Sequence, residues 1–405
     1  NNVAHWALLG LGDPSREWLH LHRGPYSYGY LYDDGYVAAI IASEAERQHP
    51  GGPPVLLRSP EYARWGNEYY ARLWRTFPGD MLTRAWAAVN RVMALPFIPM
   101  QVERPPWAAG LSGRIFDWRG TLVEHISPIP PLATMVIALA LLAAVNPRGA
   151  MLAGGLCAFL AGASSIQFQG RHTFHLEVLS WCALGFVATA LWKLVSIRFA
   201  GVDRQMLRRA TMAPLVIALM VVAPLGAARW HQSGRVANWF VALESAPMEP
   251  LALSTAASQD DQSILNHVVE SAMRHEASVI GSDLIAATFG GSSCNVDAVD
   301  ATFRFIARSP YPNLTVTRQV PMPHRGSERT RLFFPVYTTG GLAADPAGLT
   351  FAGIELSKVN QACLVDVRRV TAPEALPLFM EALITPDWRS RSLREGFQTV
   401  EGAWR

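Results

Sequence analysis

What this 405-residue chain lacks is more telling than its averages. No Asp, Glu, Lys or Arg occurs from Ile126 to Val145, from Gly149 to Gly170, or from Ala210 to Ala228. Val178 to Trp192 is free of them too, and the aliphatic stem of Lys193 can snorkel, letting a helix continue to about Ile197. Each run approaches the roughly 20 residues that cross a bilayer core of about 30 Å. Overall composition, 50% apolar and 17% charged, would not reveal this. Crowded together, the runs argue against buried helices of a soluble α-protein. The chain also lacks a Gly-rich phosphate loop, a Cys-x-x-Cys pair and a nucleophile elbow; "GLGDPSREW" is too short a glycine pattern for a nucleotide fold.

What is present sorts into three regions. Residues 1–125 read as an extracytoplasmic loop with amphipathic, interfacial helices. Residues 126–228 hold about four transmembrane helices, near 126–145, 149–169, 175–197 and 210–228, forming an α-helical membrane bundle. Residues 229–405 read as an extracytoplasmic all-β sandwich or jelly-roll domain. Arg198, Arg204, Arg208 and Arg209, with Lys193 just inside and only Asp203 against them, mark the loop between the last two runs as cytoplasmic. Alternation then puts "VNPRGA" inside, and both the N-terminal segment and everything after Arg229 outside. The chain opens at "NNVAHWALLGLGDP", and a long outward N-terminal segment needs spans upstream to carry it across; the expectation is the C-terminal part of a longer polytopic protein.

In the first region, Ser59 followed by Pro60 is a helix start, with the hydroxyl as cap and the proline at the first helical position. Tyr62, Trp65, Tyr69 and Leu73 then recur at helical spacing opposite Glu61, Arg64, Glu68 and Arg72, and Pro78 and Gly79 close the pattern. "DMLTRAWAAVNRVMALPF" is apolar but interrupted by Arg84 and Arg91, which suits a helix lying in the interface. After Arg229 the period changes to that of strands: "DATFRFIA", "NLTVTRQVPM", "RTRLFFPVYTT", "LTFAGIELS" and "ACLVDVRRV" are β-branched or aromatic runs divided by turn residues. Two of the four cysteines, Cys294 and Cys363, fall there, and an oxidising outer compartment would pair them. The alternative is two buried free thiols.

Two polar constellations stand out. "GRHTFHLE" places Arg171, His172, His175 and Glu177 where a membrane helix meets outer water, at the height of a lipid phosphate. A guanidinium can fork onto phosphate oxygens, and imidazole can donate to them or move a proton. The spacing matches no metal signature, and plain interfacial anchoring, with Glu177 paired to Arg171, explains the same residues. In "YLYDDGYVAA", Asp33 and Asp34 precede a helix: one is a natural N-cap. Beside Tyr28, Tyr30, Tyr32 and Tyr36 they would also suit a sugar or a divalent cation.

The sequence "HWALLGLGDP", then "YGYLYDDGYVAA", then "SPEYARWGNEYYARLWRTFPGDMLTRAW", with "GRHTFHLE" in an outer loop and a β-domain at the end, resembles the C-terminal half of bacterial polytopic membrane proteins related to the C-type, polyprenyl-phosphate-sugar-dependent glycosyltransferases. The resemblance covers most of the chain in layout and is specific in only a few short motifs. It implies an enzyme of the bacterial inner membrane, acting on the outer face with a polyprenyl-phosphate-linked sugar and a glycan acceptor, its catalytic acidic loop lying upstream. A different class fits the same layout: a non-catalytic, membrane-anchored envelope protein whose β-domain binds glycan or a protein. The expected partners are the bilayer and those ligands, not nucleic acid.

Overall fold

The computed structural model describes residues 3–53, 55–97, 110–126, 131–196, 203–257, 263–268, 281–290, 294–323, 328–338, 348–390 and 397–399. Its helices are α1 (Val3–Leu9), α2 (Asp13–Trp18), α3 (Asp34–Gln48), α4 (Pro60–Thr76), α5 (Pro78–Ala94), α6 (Gly110–Ile126), α7 (Pro131–Val145), α8 (Pro147–Ala163), α9 (Gly170–Thr173), α10 (Glu177–Ser196) and α11 (Arg204–Ser245). The strands are β1 (Tyr26–Ser27), β2 (Met248–Pro250), β3 (Leu253–Ala257), β4 (Ser263–Val268), β5 (Gly281–Gly290), β6 (Ala298–Ile306), β7 (Leu314–Pro321), β8 (Arg329–Thr338), β9 (Thr350–Ser357), β10 (Leu364–Val370) and β11 (Glu381–Ile384). They gather into two compact units that do not follow chain order. The first joins Asn1–Glu17, Arg23–Pro78 and Arg229–Thr399; the second takes Trp18–His22 and Gly79–Ala228.

In the first unit, local signals explain the helices. The Asp33 carboxylate accepts from Tyr36 N at 2.9 Å to open α3, and the Ser59 hydroxyl accepts from Tyr62 N at 3.0 Å to open α4. Tyr62, Trp65, Tyr69 and Leu73 are buried, as the helical stripe predicts. Pro78 does more than close α4: it occupies the first position of α5.

The strands make two antiparallel sheets, ordered β1-β11-β8-β5-β10-β2 and β3-β4-β9-β6-β7. Val299, Ala301, Phe303 and Phe305 alternate inward along β6. Phe303 stacks on Phe334 of β8, ring centroids 3.8 Å apart, so the two sheets share an aromatic core. β1 adds the N-terminal segment to the first sheet, with Tyr26 opposite Ala382 and Ser27 opposite Glu381. Cys294 and Cys363 form a disulfide. Helical structure does not stop at Arg229. Gln232, Val236, Trp239, Phe240 and Leu243 make a buried stripe at helical spacing, which carries α11 on to Ser245 before the strands begin.

In the second unit, α7 and α8 form a hairpin about Asn146, whose side chain accepts from Gly149 N at 2.9 Å while Pro147 starts α8. Residues from α5, α7, α8 and α10 share one apolar core, including Ala88, Met135, Ala161 and Ala183. Among the described residues, three helical stretches are long and apolar enough to cross a membrane: Pro147–Ile166, Arg171–Ser196 and Arg204–Ser245; α7 is a shorter apolar helix. Their apolar side chains point outward. Phe159 is 69% exposed and Leu219 67%, an arrangement suited to hydrocarbon rather than water. Of the basic loop, Arg198 lies outside the described residues. Arg204, Arg208 and Arg209 belong to the start of α11, where Asp203 Oδ1 accepts from Met206 N at 2.6 Å.

Candidate functional site

The "GRHTFHLE" segment is held from below. Phe168 and Leu176 are buried in the core of the second unit, and the Thr173 hydroxyl, almost wholly buried, donates to Gln169 O at 3.3 Å. Pinned at these points, the backbone turns through α9 and the 3-10 turn Phe174–Leu176, leaving Arg171, His172 and His175 exposed. Arg171 Nε donates to His172 Nε2 at 3.0 Å. The His175 ring lies edge-on to Phe174, centroids 5.7 Å apart. Glu177 opens α10 and accepts from the Trp181 indole at 2.8 Å; Arg171 pairs with no carboxylate among the described residues. A guanidinium edge and a second imidazole are therefore displayed outward, where an anion can reach them.

Asp33 and Asp34 have other tasks. Asp33 caps α3, and Asp34 Oδ1 meets His5 Nε2 at 3.1 Å, while His5 Nδ1 meets the Tyr62 hydroxyl at 2.6 Å. This chain runs inward from an exposed carboxylate to a buried phenol, whose pKa burial and the nearby Asp34 push up. The neighbouring tyrosines are core residues: Tyr28, Tyr30 and Tyr36 are buried, and Tyr30 stacks on Phe334 at 5.1 Å and on Phe305 at 5.6 Å. Their rings pack against other aromatic side chains. Tyr32 alone of the four is half-buried.

A four-membered ion cluster in the first unit escaped the sequence reading. Arg318 on β7 grips Glu381 with two bonds, Nε to Oε1 at 2.8 Å and Nη2 to Oε2 at 2.9 Å, and reaches Asp13 Oδ2 at 2.9 Å. Arg23 bonds Glu381 at 2.8 Å and Asp13 at 3.2 Å, and the Ser27 hydroxyl donates to Asp13 at 3.0 Å. Burial pushes the Asp13 carboxyl up, but Arg23, Arg318, Arg16 and Ser27 outweigh it and hold its pKa below the ordinary value. Burial likewise depresses Arg318, and Glu381 and Asp13 more than reverse that. Arg16 also reaches Asp13 at 3.4 Å, so both carboxylates are fully matched by arginines and the cluster acts as a fastening. Next to it the chain is tightly packed: a Cβ on Gly12 would lie 2.7 Å from Leu31 O, so the approach needs glycine.

A second network fixes α3 to the turn Pro373–Ala375. Glu44 is paired with both Arg47 and Arg72, and Arg47 Nη1 donates to the carbonyls of Pro373, Glu374 and Leu376. The hollow beside it, lined by Ser43, Tyr69 and Tyr337 among others, has no room for a water molecule. Among the described residues no group of three or more His, Cys, Asp or Glu is placed to hold a metal ion.

No known protein family, curated protein or solved structure matches this chain.

Proposed function

We propose that this is an integral membrane protein that engages a lipid-linked phosphate at the outer face of the bilayer through Arg171, His172 and His175. The observation that carries the reading is the display of Arg171: exposed, without a carboxylate partner among the described residues, and rooted by Phe168 and Leu176 between two apolar helices. Guanidinium donors in that position suit phosphate oxygens at head-group height.

The topology has its own support. Residues Asn1–Glu17, Arg23–Pro78 and Arg229–Thr399 belong to one compact unit, which supports an even number of bilayer crossings between Pro78 and Arg229. The three long apolar helices need α7 as a fourth crossing. Charge bias puts the Arg204–Arg209 end in the cytoplasm and the paired sheets, read as a β-sandwich, outside. An exported domain also accounts for a disulfide. The resemblance to polyprenyl-phosphate-sugar glycosyltransferases supports a bacterial inner membrane location, with the phosphate belonging to the sugar donor.

Sugar transfer itself needs a general base or a metal at the acceptor hydroxyl. Here Asp33 caps a helix, Asp34 meets His5, and Asp13, Glu44 and Glu381 are each held in ion pairs. This favours, as the second reading, a binding or anchoring role for this part of the protein, with any catalytic carboxylate supplied from elsewhere.

The test is Arg171→Lys in the full-length protein, which keeps the charge and loses the fork, combined with His175→Ala. Normal insertion with clear loss of polyprenyl-phosphate binding is expected. Unchanged binding in both variants leaves interfacial anchoring as the role of the segment.

A further inference from the structure

The second unit gathers unsatisfied polar atoms at one end of its helices. Because α7 and α8 form a hairpin, the start of α7 and the end of α8 lie at the same end, and the core there brings Met135, Ala161 and Phe168 together with Leu176 just before α10. α5 reaches that end as well, since the Ser180 hydroxyl in the first turn of α10 donates to Met93 O at 2.8 Å. Asn90 and Arg91 sit within one turn of Met93.

Arg91 makes no hydrogen bond or ion pair among the described residues, and its Nε is buried. Asn90 Oδ1, Thr134 Oγ1 and Gln169 Oε1 are buried without a partner too, and Thr134 is only 4% exposed. Buried polar atoms are costly unless matched, and a cation among apolar helices most of all. A single orphan would be unremarkable. Here two acceptors, a hydroxyl and a guanidinium N–H collect at the same end of one small bundle.

We propose that Asn90, Arg91, Thr134 and Gln169 form a binding site for a lipid head group that carries both a phosphate and hydroxyls. Arg91 donates to the phosphate; the amide oxygens of Asn90 and Gln169 accept from hydroxyls; Thr134 can do either. A phosphate with no hydroxyls beside it has too few donors for two amide oxygens, which sets the ligand class. The site uses none of the residues of the function proposed above and rests on that reading only for placing the unit in a membrane. Two sources share this chemistry: a glycerophospholipid such as phosphatidylglycerol, and a polyprenyl-phosphate sugar.

The full chain, purified in detergent, is titrated with phosphatidylglycerol, undecaprenyl-phosphate glucose, phosphatidic acid and phosphatidylcholine, and bound lipid is read by native mass spectrometry. One of the first two should bind at least tenfold more tightly than the last two, and which one does identifies the source. Arg91→Gln should weaken that binding about tenfold and Thr134→Val a few-fold, with melting temperature followed as a control. Gln169→Met removes the buried acceptor of a half-buried residue and keeps the test informative if Arg91→Gln does not insert. Equal binding of all four lipids, or wild-type binding in both Arg91→Gln and Gln169→Met, overturns the site and leaves water as the partner of these atoms. Loss in Arg171→Lys with retention in Arg91→Gln refutes this inference alone; the reverse pattern supports it and refutes the function proposed for Arg171.

Discussion

Arg318 and Asp13 lie 305 positions apart in the chain and 2.9 Å apart in space. The contact fastens the N-terminal segment to the edge strand β7 and, through Glu381, to β11. It is largely buried, so it responds to protonation more than a surface pair would.

The first prediction concerns acid. The folded pKa of Asp13 lies below its unfolded value of about 3.9, so its stabilisation is complete above that value and disappears as pH falls through the folded pKa. Asp13→Asn should lower stability near pH 7 by about 3–5 kcal/mol, the range for breaking a buried pair. The gap to wild type should close below about pH 4. Melting curves of both proteins across pH 2 to 7 decide it; a gap that stays constant would show that the Asp13 charge is not the cause.

The disulfide joins positions separated by 69 residues, a loop whose closure in the unfolded chain is worth about 4 kcal/mol. Cys363→Ser should lower the melting temperature and abolish the mobility shift between reducing and non-reducing electrophoresis. Cys157→Ser, removing a free thiol, should leave that shift unchanged.

α11 offers an internal comparison. Trp239 is 1% exposed and donates to Leu378 O at 3.2 Å, whereas Trp230 is 78% exposed. Trp239→Ala should cost about 3–5 kcal/mol through the cavity it leaves, and Trp230→Ala far less. Similar losses from both would mean that Trp230 is covered in the native protein.

Topology is the fourth. Reporter fusions near Asp203 should read as cytoplasmic and fusions after Val370 as external. Opposite signals would remove the rationale for a lipid phosphate at Arg171.

Much of this was legible because it is local. The uncharged runs, the Ser59–Pro60 cap, the stripe Tyr62–Trp65–Tyr69–Leu73 and the alternation along β6 each occupy a window of at most 22 residues and report one element's own signal. The pairing of Cys294 with Cys363 was readable from chemistry and expected compartment. The burial of Tyr30 and Tyr36 was not, because "YLYDDGYVAA" looks the same whether its rings face a ligand or Phe334. Nor was the union of Asp13, Arg23, Arg318 and Glu381: four charges in unrelated segments carry no period, and only the finished fold brings them together. The candidate residues around Arg171 were visible as a cluster of residue types, while the pairing of Arg171 with His172, and with no carboxylate among the described residues, became apparent only in three dimensions.

Building one unit from both ends of the chain imposes a delay during synthesis. Arg23 emerges 358 residues before its partner Glu381, and at about 5–20 residues per second that gap lasts on the order of 20 to 70 s. Throughout it, Tyr26 and the apolar faces of α3 and α4 await the strands that will cover them, while the apolar helices are still entering the bilayer. A newly made N-terminal segment therefore has good reason to be sheltered by a chaperone at the membrane surface until β11 arrives to take its place beside β1.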